Sequence, residues 1–171
     1  YLNNSRIDLV KCRNCNPQKT KSDAELEIYN FIKEICNTAI SGDRTVLGGK
    51  ELDIYIPEKN IAFEYNRLYW HSELNHEYPI HIRWKQQHAI KLGIMVYNIF
   101  EDEWIKKRSI VESRIRHILG ASKRRIYARH CQIKEISNDE KNEFLNNNHI
   151  QGSDVSKIRY GLFLENELIA I

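Results

Sequence analysis

Leu52-Asp-Ile-Tyr-Ile-Pro57 and Ile61-Ala-Phe-Glu-Tyr-Asn-Arg-Leu-Tyr-Trp-His-Ser-Glu73 decide the fold. Both begin as short runs of Ile, Tyr, Phe and Leu, the composition of strands. Pro57-Glu-Lys-Asn60 between them has the composition of a turn, so residues 51–56 and 61–65 are expected to form an antiparallel hairpin. Each run carries one acid, Asp53 in the first and Glu64 in the second. A carboxylate set in an apolar run costs free energy unless something pairs with it. Alternation could instead point Asp53 to solvent on an edge strand. Two such acids on neighbouring strands are less easily explained that way, and together they suit Mg²⁺, which prefers oxygen ligands. His71 follows at the end of Leu68-Tyr-Trp-His, and a neutral imidazole takes a proton near pH 7. A cation beside a base is what hydrolysis of a phosphodiester requires.

Upstream, Ser22-x-x-Glu25 has capping-box spacing, and Ala24, Ile28, Phe31, Ile32 and Ile35 form one apolar stripe of a helix. Gly42 and Gly48-Gly49 read as a loop. Downstream, residues 78–92 read as a helix closed by Gly93, and residues 94–100 as a strand. The intervening helix makes that strand parallel to one strand of the hairpin. Trp104, Val111, Ile115 and Ile118 mark a further helix face ended by Gly120. The expected fold class is α/β, with a mixed sheet flanked by helices over residues 20–120. After a basic linker at 121–130, residues 131–171 read as strand, short helix over about 138–147, and hairpin. That is a βαββ unit with few strands.

Twenty-six Lys and Arg stand against 23 Asp and Glu, a net charge of +3 that hides an asymmetry. Residues 106–134 hold ten basic residues and one acid, Glu112. A stretch of one sign this dense attracts polyanions, although a solvated helix face plus a linker is the plainer account. The mean hydropathy of −0.59 and the lack of any run of about 18–20 apolar residues exclude a membrane span as an expectation. No signal peptide is visible, and a cytoplasmic location is expected. The chain starts at Tyr1 and stops at Ile171 inside an apolar run, so a piece of a longer protein is expected. Of four Cys, only Cys12-x-x-Cys15 has ligand spacing; Cys36 and Cys131 are expected as core thiols.

From Ser22 to Gly120 the chain resembles the very-short-patch-repair (Vsr) endonucleases and the related EDxHD homing endonucleases of phages, within the PD-(D/E)XK nuclease superfamily. The run from Asp53-Ile-Tyr-Ile-Pro57 through Trp70-His71 carries the likeness. So do Gly93-Ile-Met-Val-Tyr-Asn-Ile-Phe-Glu101 and Phe100-Glu-Asp-Glu-Trp104. The resemblance implies a restriction-endonuclease-like sheet and a Mg²⁺-dependent (or Mn²⁺-dependent) DNA endonuclease of mobile-element type, in a phage-infected or bacterial cytoplasm. It implies Asp53 as central metal ligand, Glu64 as the second acid, Asn66 in the place of the usual Lys, the Tyr65 carbonyl as a further ligand and His71 as general base. Glu25 matches the acid of the N-terminal helix; capping alone would also account for it. Tyr69 and Trp70 match aromatics that approach or wedge into DNA, or else pack in the core.

Departures from the pattern matter. Arg67 stands where the family has Gly, and could obstruct the site or clamp a phosphate. The last acid of the EDxHD set has no clean match; His81 lies nearest, with His76 and Glu77 as rivals. Leu68 and Asp102 fall where repair-type enzymes carry zinc-binding Cys, which points to the homing branch. Cys12 and Cys15, in a partial zinc-knuckle-like segment over 1–19, would be half of a Zn²⁺ site in a longer chain. Residues 126–171 resemble the acetyltransferase-like βαββ opening of an accessory domain in such phage proteins. The expected partner is double-stranded DNA, held by Arg67, Tyr69, Trp70, Lys106, Lys107, Arg108, Arg114, Lys123, Arg124, Arg125 and Arg129. Double-strand cutting would call for a homodimer. Two alternatives remain: a DNA-binding protein with a degenerate nuclease core, and a mismatch-nicking repair enzyme.

Overall fold

The computed structural model describes residues 21–67 and 78–171, with side chains from Arg83 onward in the second stretch. Cys12, Cys15, Tyr69, Trp70, His71, His76 and Glu77, and the side chain of His81, lie outside the described part. Among the described residues, no helix is long and apolar enough to cross a membrane.

Helix α1 (Asp23–Ile35) starts at Ser22, whose hydroxyl accepts the Glu25 backbone N–H at 3.2 Å. Strands β1 (Ile40–Leu47), β2 (Lys50–Ile56), β3 (Ile61–Asn66) and β4 (Met95–Phe100) form one sheet in that order. β1, β2 and β3 pair antiparallel, and β4 runs parallel to β3, as the crossover helix α2 (Tyr78–Lys91) requires. The sheet is therefore mixed and flanked by helices. The turn between β2 and β3 places Asn60 at φ 52°, a conformation Asn tolerates better than most residues.

β1 corrects the expected loop at Gly42–Gly49. Its sequence, Ile-Ser-Gly-Asp-Arg-Thr-Val-Leu, has neither clean alternation nor an apolar run. The pairing with β2 shifts between Asp43 and Leu47. Buried Asp43 accepts the backbone N–H groups of Thr45 (3.0 Å) and Val46 (3.2 Å), so its side chain satisfies amides that the irregular ladder leaves over.

Two apolar clusters cover the sheet. One joins Ile28 and Ile32 of α1 to Ile54, Ile56, Phe63 and Ile99 of the strands. It also takes in Trp104 of α3 (Glu101–Lys106) and Val111 and Ile115 of α4 (Arg108–Ile118). The single expected helix after β4 is thus two, broken at Lys107, whose backbone leaves the helical region at φ −132°. The other cluster joins Leu47, Leu52, Tyr55 and Ala62 to Ala89 of α2 and to Ile94.

The second unit is β5 (Gln132–Glu135), α5 (Asn138–Asn148), β6 (Tyr160–Leu164) and β7 (Glu167–Ala170), an antiparallel sheet in the order β5-β6-β7. This is the expected βαββ order. Cys36 is buried, as expected of a core thiol. Cys131 is not: it is half-buried just ahead of a strand whose four residues are all exposed.

Candidate metal centre at the fork of β2 and β3

The β2–β3 ladder pairs Ile56 with Ile61, Tyr55 with Ala62 and Ile54 with Phe63. The next two residues are Asp53 and Glu64, and there the strands part. β3 continues beside β4 as far as Asn66, while β2 continues beside β1. Side chains take over from the ladder at this fork. Asp53 Oδ2 accepts the Tyr65 N–H at 2.9 Å, and Glu64 Oε1 accepts the Asp53 N–H at 3.3 Å. The strand also turns here. Leu52 enters the α2-side cluster and Ile54 the α1-side cluster, although they are only two residues apart. Both acids are therefore held in the sheet by backbone amides, not left on flexible stems.

Glu25 reaches Asp53 from the first turn of α1, and Glu51 from the same strand. One carboxylate oxygen from each of Glu25, Glu51 and Asp53 lies within 4.8 Å of the other two. Such a set of oxygen donors could hold a metal ion. Its charge balance supports the same reading. The pKa of Glu25 is raised first by burial and then by the Asp53 charge, with Lys21 and the Ser22 amide as opposing influences. Burial is also the main reason the Asp53 carboxyl is pushed up. Two carboxyls pushed up at one point, Glu25 and Asp53, would gain from a cation.

Glu64 is buried on the α2 side of β3, where Lys85 of α2 forms an ion pair with its Oε2. Burial, and next the nearby Asp53 charge, push the Glu64 carboxyl up to about 8 even with Lys85 in contact. Asn66, expected in the place of the usual Lys, is buried and donates its amide to Asn98 Oδ1 of β4 at 2.9 Å. The ammonium beside Glu64 thus comes from Lys85, while Lys21 stands 3.8 Å from Glu25 and Arg44 pairs with Glu51. The Tyr65 phenol is pushed up to about 12 by burial and then by Glu101.

Glu51 and Lys85 were missed in the sequence, and both had a signal. Glu51 lies two residues from Asp53 in one strand. Lys85 lies four residues before the fully buried Ala89, so both share the helix face turned to the sheet. Of the expected DNA contacts, Arg67 is exposed at the end of β3. Lys107 donates to the Asn146 carbonyl at 2.9 Å, and Arg108 bridges Glu27 (2.7 Å) and Glu112 (2.9 Å) while lying over Trp104. Arg124 pairs with Glu167 at 2.6 Å, and Arg125 and Arg129 lie over the Tyr127 ring. Lys106, Arg114 and Lys123 are exposed with no carboxylate partner among the described residues.

No family model matches this chain, nor does any of the curated proteins or solved structures compared with it.

Proposed function

We propose that the protein is a metal-dependent endonuclease acting on double-stranded DNA, of the homing type suggested by the resemblance to Vsr-like and EDxHD nucleases. The observation that carries the reading is the fork itself. Asp53 and Glu64 clip the parted strands while Glu25 and Glu51 close on Asp53. A sheet that parts around converging, partly neutralised carboxylates is a costly arrangement for stability alone. Glu25, Glu51 and Asp53 would hold Mg²⁺ or Mn²⁺, which when bound offsets charge on the phosphodiester and acidifies a bound water. Asp53 is held in place by the Tyr65 amide, and Glu64 positions the Lys85 ammonium beside the same acids. His71 is assigned as the base on the sequence pattern, where it follows β3 by five residues. Arg67, exposed at the mouth of the same strand, supplies a fork of donors for a phosphate.

A second reading is DNA binding without cleavage. The internal cations favour it, because Lys85 pairs with Glu64, Arg44 with Glu51, and Lys21 stands 3.8 Å from Glu25. Cleavage of supercoiled plasmid with Mg²⁺ or Mn²⁺, wild type beside Asp53→Asn, separates the two. Metal-dependent cutting that falls to background in Asp53→Asn is expected. Binding with no cutting under either metal would establish the second reading, and cutting that survives in Asp53→Asn would remove the metal centre.

A further inference from the structure

The outer side of α4 faces a groove of about 1120 Å³. The helix buries Val111 and Ile115 in the core. Its opposite side therefore carries Ser109, Ser113, Arg116 and His117 into the groove, and Arg114 lies at its edge. Lys123 and Arg124 of the linker close one end. The facing wall is the end of α5 and the loop after it, Asn147, Asn148, His149 and Gln151. The Lys107–Asn146 hydrogen bond and the packing of Ile150 against the α1-side cluster hold this wall to the first unit.

The charges of the groove are lopsided. Glu103 and Glu112 are its only carboxylates among the described lining residues, and Glu112 is committed to Arg108. Half-buried Arg116 is stacked over Phe31, and Arg124 is tied to the exposed Glu167. Arg114 and Lys123 are exposed and have no acid partner among the described residues. Two unpartnered cations opposite a row of amide side chains suit a sugar–phosphate chain, whose oxygens accept from both.

The helix that carries the groove also touches α1, which carries Glu25. α4 packs along α1, with Arg108 on Glu27 and Arg116 over Phe31. Glu25, the α1 contribution to the acidic cluster, is six residues from Phe31, roughly 9 Å along the helix axis. One turn of duplex spans about 34 Å. A duplex lying over the fork and running on along α1 would carry its backbone past α4 within the same turn.

We infer that the groove between α4 and the end of α5 is a second binding surface, for the phosphate backbone of duplex DNA flanking the site of cleavage. The inference rests on the endonuclease reading for its partner. It gives the βαββ unit a task in that reading: α5 supplies one wall of the DNA channel.

The test uses the full chain, in EDTA to prevent cutting, with a fluorescent duplex of about three helical turns, roughly 30 bp. Fluorescence anisotropy is followed against KCl for the wild type, for Arg114→Gln/Lys123→Gln and for Lys59→Gln. Lys59 is an exposed cation in the β2–β3 turn and serves as the control. The double variant should bind more weakly, with the slope of log K against log [salt] reduced by about 2, one for each lost phosphate contact. Lys59→Gln should leave the slope in place. If the wild type binds and the double variant keeps its slope, or if Lys59→Gln lowers the slope as much per charge, the groove is overturned while the endonuclease reading stands. If the wild type binds no duplex at any salt, the endonuclease reading falls and the groove with it. The double substitution lies at exposed positions, so an unchanged melting temperature verifies that any loss is one of contact.

Discussion

The chain uses Ser-x-x-Glu twice to start a helix, at Ser22–Glu25 of α1 and at Ser137–Glu140 of α5, and the two copies do different things. In α5 the box closes in both directions. The Ser137 hydroxyl accepts the Glu140 amide, and Glu140 accepts the Ser137 amide at 2.9 Å and its hydroxyl at 2.8 Å. These hydrogen bonds hold the Glu140 carboxyl below its ordinary range. In α1 the Ser22 hydroxyl caps the Glu25 amide in the same way, but the Glu25 carboxylate stands among Asp53 and Glu51, and its pKa moves in the opposite direction. Two lysines, one in each unit, divide likewise. Buried Lys141 gives its ammonium protons to the Asp154 carbonyl (2.5 Å), the Asp154 carboxylate (2.9 Å) and Ser156 Oγ (3.2 Å), a full set for three donors. Lys85 meets Glu64, whose carboxyl stays high despite the contact. A satisfied charge is scaffolding. The carboxyls at the fork stay raised even with cations in contact, which is why a metal is placed there.

The sharpest way to break this contrast is to neutralise both glutamates. Glu25→Gln should weaken divalent-metal affinity and metal-dependent cleavage by roughly 10–100-fold, the usual effect of disturbing a metal's immediate surroundings. It should also remove most of the rise in melting temperature that Mn²⁺ gives the wild type. Glu140→Gln should change neither. A Glu25→Gln variant that binds metal as the wild type does would show that the box at α1 is only a cap, and an equal loss in both variants would show that the loss is not specific to Glu25.

Glu64→Gln tests the other half. The folded-state value of about 8 lies above the ordinary 4.5, so the folded chain holds the proton more tightly than the unfolded one. The stability that this proton contributes is fully present below about pH 4.5 and is lost as pH rises to about 8. In EDTA the wild type should therefore lose stability across that window. Glu64→Gln, which cannot ionise, should be more stable than wild type at pH 8.5 by on the order of 2–3 kcal/mol and nearly equal to it at pH 4.5. Parallel pH profiles of melting temperature for the two proteins would remove the strained carboxyl from the account.

The legibility of the chain follows the same division. Elements set by local pattern were readable: the hairpin from its two apolar runs and turn, α2 and β4 from the closing Gly93, and α5 with its hairpin. β1 was not, because Asp43 and Gly42 break the alternation and the strand persists by borrowing a side chain for its ladder. Asp53 and Glu64 were readable as acids out of place in apolar runs, and the structure does bring them together at the fork. Their contacts were not. Whether Glu25 caps its helix or faces Asp53 depends on where β2 lies, and nothing within four residues of Glu25 encodes that. Lys85 is fixed by the docking of α2 on the sheet through Ala89, and so is a property of the tertiary packing.

Within the second unit the expected effects are smaller and purely structural. Lys141→Met should cost about 1–2 kcal/mol, because the Asp154 carbonyl and Ser156 lose a buried donor while the new side chain keeps most of the packing. It should leave the metal-induced rise in melting temperature intact, as Lys141 lies in the unit that does not carry the acids. Loss of that rise in Lys141→Met would mean that the two units share their stability more closely than their separate sheets suggest.

The caps themselves give the finest comparison. Ser137→Ala removes a hydroxyl that both accepts the Glu140 amide and donates to the Glu140 carboxylate. The cost should be about 1 kcal/mol, the usual value for losing a Ser cap. Ser22→Ala removes only the acceptor for the Glu25 amide, so it should cost the same or less in EDTA. With Mn²⁺ present the order should reverse. A frayed first turn of α1 would misplace Glu25 beside Asp53, and the Ser22 variant would then forfeit part of the stabilisation that the metal gives. Thermal melts of the two variants, with and without Mn²⁺, measure this crossing directly. Curves that keep the same order under both conditions would mean that the start of α1 holds a helix and nothing more.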